Sequence, residues 1–347
     1  MKPPNEQQAA PEIIELLAEM FGGPPSAVRL KSVGAAEGYD YDISVGSHRF
    51  SAEYRVSATA GSVASAIECL RRAAERLPLV IVPFMGQVGQ HLCDQARISW
   101  LDLSGNARIV GPGLRIRVEG RPNKYLGRGR PPNVFASKSS RIARQLLLNP
   151  HEFQTQAELA RKSRLGDGYV SKIVRRLGQE QYLEANDEGG VRPRDPDLLL
   201  DAWREAYDFN RQRMIKGHVP ARSGGELLQR VVKCLLRSDL RWAVTGLSAA
   251  WTYTQFAAFR LATIYLSSMP SRSLLGEMTF LEEAKGANLW LVLPDDDGVF
   301  DGSQIQDDIR CVSALQTYLD LKDHPERAKD AADELRRKRL NWGPHEP

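Results

Sequence analysis

"TQAELARKSRLGDGYVSKIVRRLGQEQ", Thr155 to Gln181, is the stretch on which the reading of this chain turns. Thr155 with Glu158 three residues on forms a capping box, which predicts the start of a short helix. "LGDG" supplies a turn, and Asp167 is placed to cap a further helix, "GYVSKIVRRLGQEQ". Its spacing puts Val170, Ile173, Val174 and Leu177 on one face and Lys172, Arg175 and Gln179 on the other, flanked by Tyr169, Ser171 and Arg176. Upstream, "SKSSRIARQLLLNP" reads as a helix stopped at Asn149-Pro150; downstream, "YLEANDEGGVRPRD" reads as strand, Gly189-Gly190 turn and strand.

The whole chain of 347 residues carries a net charge of only +4. From Arg121 to Tyr182, however, thirteen Lys and Arg stand against four acids, a local excess of +9. A block of one sign in an otherwise slightly acidic chain is the footprint of nucleic-acid binding. The order helix, helix, turn, helix, hairpin resembles the winged helix-turn-helix of transcription regulators. That resemblance implies that the third helix enters the major groove of double-stranded DNA. Tyr169, Ser171 and Lys172 would then meet base edges and Arg175 and Arg176 phosphates or bases, with Lys138 part of the same basic set. The alternative is a winged helix that docks another protein. Just ahead lies "NKYLGRGRPPNVF", Asn123 to Phe135, whose "GRGRPP" resembles the core of an AT-hook. Arg128 and Arg130 would insert into a narrow A·T-rich minor groove, or else the segment is a charged, stiff linker.

In the N-terminal third, residues 11–22 read as a helix, "YDISVG" and "SHRFSAEYRVSA" as a hairpin around Gly46-Ser47, Val63 to Leu77 as a helix, "PLVIVPFM" as a buried strand and "GQVGQHLCDQARI" as another helix. Three short strands follow in "SWLDLSGNARIVGPGLRIRVEG". This order resembles the restriction-endonuclease-like fold, which holds Mg²⁺ on an Asp of one strand and the Glu of an E-x-K motif on the next. On that resemblance Asp42 (or Asp40) and Glu53 would be metal ligands, with Arg55 standing where the family has Lys. A guanidinium stays protonated, so it relays no proton and competes with a metal for Glu53. The alternative is a Glu–Arg pair on a solvated sheet face. Asp102 and Glu119 form a second acidic pair, with turn formation by "DLSGN" an equal explanation for Asp102.

The C-terminal third reads as two amphipathic helices, "PDLLLDAWREAYDFNRQRM" and "SGGELLQRVVKCLLRSDL", a strand running into a helix near Ser248, two more strands, and a helical close with a late basic run. Strand, Gly-Ser turn, helix resembles the start of a nucleotidyltransferase fold, but "RLATIYL" lacks the Asp-x-Asp that such folds use for metal. Asp295, Asp296 and Asp297 read as a solvated turn. Together, "ISWLDLSGN", "VTGLSAAW" and "QTYLDL...PERAKDAADELR" resemble the long regulators grouped with AbiEi-type antitoxins. This implies a bacterial DNA-binding autorepressor, with a nucleotidyltransferase-type toxin or a defence-system protein as partner.

The expected architecture is an α+β multidomain chain: 1–122 restriction-endonuclease-like, 123–136 a basic linker, 137–196 a winged helix-turn-helix, and 197–347 an α/β domain resembling a degenerate nucleotidyltransferase. No cofactor is expected for a regulator; a DNA nuclease would need Mg²⁺. Cys69, Cys93, Cys234 and Cys311 form no CxxC pair, the start carries no secretory pattern, and the most apolar window is broken by Gln255 and Arg260. A cytoplasmic homodimer without membrane contact is the corresponding expectation.

Overall fold

Asn5 opens the first helix, α1 (Glu6–Phe21), through a capping box with Gln8, and Gly22 ends it in the left-handed region at φ 68°. The computed structural model describes residues 3–33, 38–72, 76–125, 134–256, 258–283 and 285–343. After α1 come β1 (Val28–Ser32), β2 (Tyr41–Val45), β3 (His48–Tyr54), α2 (Ala60–Arg71), β4 (Leu77–Val82), α3 (Gln87–Ala96), β5 (Ser99–Asp102), β6 (Ala107–Gly111) and β7 (Leu114–Val118). These seven strands lie side by side in chain order among the described residues. Pairing is parallel only where α2 and α3 cross over, between β3 and β4 and between β4 and β5.

Period-2 alternation divides the core of this sheet in two. Tyr41, Ile43, Phe50, Leu79 and Ile81 pack with Ile13 and Leu17 of α1 on one face. Val80, Val82 and Trp100 pack with Val63, Ala66 and Leu70 of α2 and Cys93 of α3 on the other. Two details differ from the sequence expectation. The strand β1 is additional, and its largely exposed pattern explains why alternation did not mark it. The helix expected to reach Leu77 ends at Arg71, and Leu77 instead opens β4 beside Phe50.

The middle forms α4 (Ser140–Leu148), α5 (Gln156–Ser163), α6 (Asp167–Gln179), β8 (Leu183–Ala185) and β9 (Val191–Pro193), followed by α7 (Pro196–Ala206). The capping box holds as expected: Thr155 accepts from the Glu158 N–H, and the Glu158 carboxylate accepts from the Thr155 N–H. An antiparallel bridge between Gln154 and Val191 adds a third short strand to the hairpin.

Beyond α7 come β10 (Arg213–His218), α8 (Gly224–Leu235), β11 (Trp242–Thr245), α9 (Gly246–Thr254), β12 (Ala262–Leu266), α10 (Arg272–Glu277), β13 (Leu281–Glu282), β14 (Leu289–Leu293), β15 (Gln304–Gln306), β16 (Ile309–Cys311), α11 (Ala314–Asp320) and α12 (Ala328–Arg339). The second sheet runs β13, β10, β14, β12, β11, β16, β15. The helix expected to extend through Met214 stops at Ala206, and Met214 instead pairs with Val292 in the sheet.

The described chain divides into two compact units. One comprises residues 1–133, 174–184 and 197–205; the other 134–173, 185–196 and 206–347. Residues of the expected winged segment, 137–196, fall in both units. Within the second unit, α4 packs on α11. Within the first, the residues just after α6 fit against α2 so closely that a Cβ on Gly61 would stand 2.0 Å from the Glu180 carbonyl oxygen. The architecture is mixed α and β with several sheets. Among the described residues no helix is long and apolar enough to cross a membrane.

Candidate nucleic-acid interface

Helix α6 separates its side chains as its spacing demands. Val170, Ile173, Val174 and Leu177 are buried, whereas Tyr169, Lys172, Arg175 and Gln179 are exposed and Ser171 half-buried. Among the described residues neither Lys172 nor Arg175 makes an ion pair, so both ammonium and guanidinium are free to meet an anion. The Tyr169 hydroxyl hydrogen-bonds the Ser139 hydroxyl at 2.8 Å, which ties the first turn of α6 to the start of α4 and brings exposed Lys138 alongside. Arg176 differs: its guanidinium pairs with Glu180 one turn on, which reduces its availability.

The rest of the basic block is largely spoken for. Arg141 of α4 makes a two-pronged pair with Asp296, Nε to Oδ1 at 2.7 Å and Nη2 to Oδ2 at 2.9 Å. Arg164 donates to Asp301 at 2.6 Å, and Arg121 to Glu19 at 2.8 Å. Arg144 is enclosed completely; burial lowers its pKa, opposed by Tyr207, Asp301 and Asp320 nearby. The acidic loop read as a solvated turn is therefore a clamp on α4, with Asp296 nearly buried. Arg128 and Arg130 lie outside the described residues.

Sequence reasoning passed over the returning strand of the hairpin. Arg192 stacks 4.4 Å over the Phe153 ring, and Arg194 is exposed. The "VRPR" run after the double glycine was the available signal. The hairpin tip itself carries exposed Asp187 and Glu188, so the hairpin's positive charge lies on its returning strand and not at its tip.

Within the second unit, two of the stretches read as antitoxin-like meet. Thr245 of "VTGLSAAW" and Gln316 of "QTYLDL" both donate to Asp320, which is fully buried, as do the hydroxyls of Tyr207 at 2.5 Å and Tyr265 at 3.1 Å. Burial pushes the Asp320 carboxyl up to about 6, and its four donors hold it from rising further. Gly246 follows at φ 59°, where a Cβ would press on His324 Nε2 at 2.8 Å. These residues build a core.

The carboxylates expected to hold magnesium are placed on one sheet face, since Asp42 pairs in register with Ser51, two residues before Glu53. Both are occupied by cations. Arg55 pairs with Glu53, and Arg76 pairs with Asp42, whose Oδ1 also accepts from the Tyr39 hydroxyl at 2.9 Å. Glu53 is 4% exposed and its second oxygen has no hydrogen-bond partner. Burial first, and then Asp40, lifts its pKa to about 7 against the pull of Arg55. Among the described residues no group of three His, Cys, Asp or Glu side chains could hold a metal ion. Two arginines on two carboxylates do not fit magnesium, and no hydrolytic step follows from this geometry. Asp102, the other acid, serves its turn: it accepts from the Asn106 N–H at 2.9 Å, the Asn106 side chain at 3.0 Å and the Met85 N–H at 3.1 Å.

The arrangement as a whole presents an exposed cationic helix and a sheet whose acids are neutralised. Comparison with protein-family models, curated proteins and solved structures yields no match to the chain.

Proposed function

We propose that this chain is a sequence-specific, double-stranded DNA-binding regulator of transcription. The observation that carries the proposal is the wet face of α6, where Lys172 and Arg175 are exposed with no partner among the described residues while the opposite face is buried. A winged helix-turn-helix would lay that face in the major groove, with Tyr169, Ser171 and Lys172 at base edges and Arg175 and Lys138 at phosphates. Lys and Arg release condensed counterions for affinity, and base-edge contacts give selectivity. Arg176 would contribute only by exchanging Glu180 for a phosphate.

The N-terminal order of helix, three antiparallel strands, helix and parallel strand supports a restriction-endonuclease-like fold in which arginines have replaced metal. The C-terminal sheet, entered through Thr245–Gly246 without following carboxylates on β12, supports a degenerate nucleotidyltransferase-like domain. With the antitoxin-like stretches, these favour an autorepressor that acts as a homodimer beside a nucleotidyltransferase-type toxin.

Binding of the purified chain to its own promoter, against shuffled duplex, tests the reading. Lys172→Ala with Arg175→Ala is expected to weaken specific binding about tenfold or more, given roughly 1–3 kcal/mol for a good base contact. Undiminished binding sinks the docking mode. Cleavage of plasmid DNA in Mg²⁺ that disappears in Glu53→Ala would instead establish the nuclease alternative.

A further inference from the structure

Three guanidiniums converge on one depression of the second unit. Arg164, Arg241 and Arg310 line a cavity of about 350 Å³ together with Phe300, Asp301 and Ser303. Arg164 pairs with Asp301 and Arg241 with Asp297 at 3.1 Å, so three cations face two carboxylates and a net positive charge remains in a concave site. The Arg241 guanidinium stands 4.2 Å over the Phe300 ring centroid, a cation–π contact that helps to hold it at the rim of the cavity. Arg310 is exposed, and among the described residues its side chain has no hydrogen bond or ion pair. A second depression of about 250 Å³ shares Arg241 and Arg310 and is floored by Leu236, Leu240 and Ile305. Leu236 is 67% exposed and Ile305 65%, and Ile305 stands opposite Arg310 in the β15–β16 register.

We propose that this bipartite site binds a small phosphorylated molecule, its phosphate among the three arginines and an apolar body on Leu236 and Ile305. Bidentate guanidinium chemistry suits phosphate, and the concave shape with an adjoining apolar floor suits a small ligand better than a duplex backbone. Arg164 gives the site a consequence. It caps α5 in the left-handed conformation, three residues before α6 begins, and its partner is Asp301 of the same cavity. A bound phosphate competes with Asp301 for Arg164 and so acts on the turn that leads into α6. This regulatory consequence rests on the DNA-binding reading; the ligand site does not.

The test is calorimetric titration of the full chain with phenyl phosphate, inorganic phosphate and phenol at fixed ionic strength, followed by promoter binding with and without saturating phenyl phosphate. Saturable binding of phenyl phosphate is expected, weakened about tenfold or more by Arg310→Ala with an unchanged melting temperature. Ile305→Ala is expected to weaken phenyl phosphate and leave inorganic phosphate unaffected. No saturable binding by the wild-type chain up to millimolar concentration, or equal binding by Arg310→Ala, overturns the site. If the chain binds duplex but no phenyl phosphate and Arg310→Ala weakens the duplex, the arginines belong to a DNA footprint and the small-ligand site is wrong. If it binds phenyl phosphate but no duplex, the site stands and the proposed function falls. A shift in promoter affinity of about fivefold or more is expected on saturation, and an unchanged affinity removes the regulatory consequence.

Discussion

Helices α4 and α6 belong to the same basic block and use their charge in opposite ways. On α4, Arg141 is clamped by Asp296 and Arg144 is buried among Tyr207, Asp301 and Asp320; on α6, Lys172 and Arg175 are exposed and, among the described residues, have no partner. The lesson is that a count of cations along a chain measures what could attract DNA, whereas the surviving footprint depends on acids more than a hundred residues away. Among the described residues of the segment, Lys138, Arg161, Lys172 and Arg175 are exposed cations with no ion pair, and exposed Arg194 follows just beyond it. The charges of the first helix are spent on holding it in place, and those of the third remain exposed.

The contrast breaks most visibly at Arg144. Arg144→Ala strips the only enclosed guanidinium of α4 and leaves buried acid behind it, so a loss of about 3–5 kcal/mol is expected in urea unfolding. A loss below about 1 kcal/mol would mean the cation is as dispensable as a surface one. Asp296→Ala comes next: it removes two charged hydrogen bonds from Arg141, about 1.5–3 kcal/mol. On α6 the same chemistry should cost almost nothing in folding. Lys172→Ala with Arg175→Ala is expected to keep stability within about 0.5 kcal/mol while making the slope of log affinity against log salt shallower by about 1. A stability loss comparable to that of Asp296→Ala would erase the distinction.

The smallest effect concerns Glu53. Its folded pKa near 7 lies above the ordinary 4.5, so the folded chain holds an extra proton between those values and stability falls as pH rises through that window. Below pH 4.5 the carboxyl is protonated in both states and the penalty vanishes. Glu53→Gln should flatten the decline in melting temperature between pH 4.5 and 7 and leave the value at pH 4 nearly unchanged. A profile as steep as that of the wild-type chain would place the titration elsewhere.

What could be read from the residues alone followed distance along the chain. The Thr155–Glu158 capping box, the two faces of α6, the Gly46-Ser47 hairpin and the buried strand at Leu79–Val82 are set by neighbours within a few positions, and periodicity marks them. β1 escaped because an edge strand with mostly exposed side chains has no alternation to detect, and β10 because Arg213 and Met214 continue the helical-looking spacing of α7. The candidate site was legible in its apolar face and illegible in its competition: Arg141 meets Asp296 and Arg164 meets Asp301 across more than 130 residues. Nothing local in "PDDDGVFD" marks those acids as clamps. The pairing of Asp42 with Arg76, on the far side of a helix in the sequence, was hidden for the same reason.

The late basic run of α12 has its own employment. Lys338 donates to the Thr254 carbonyl at 3.0 Å and Arg339 to that of Tyr253 at 3.2 Å, so these cations close the exit of α9, where a helix presents unpaired oxygens and partial negative charge. The tail therefore works as a stopper for a helix eighty residues upstream, one that begins immediately after Thr245. Loss of the α12 cations would leave the Tyr253 and Thr254 carbonyls at the end of α9 without these donors.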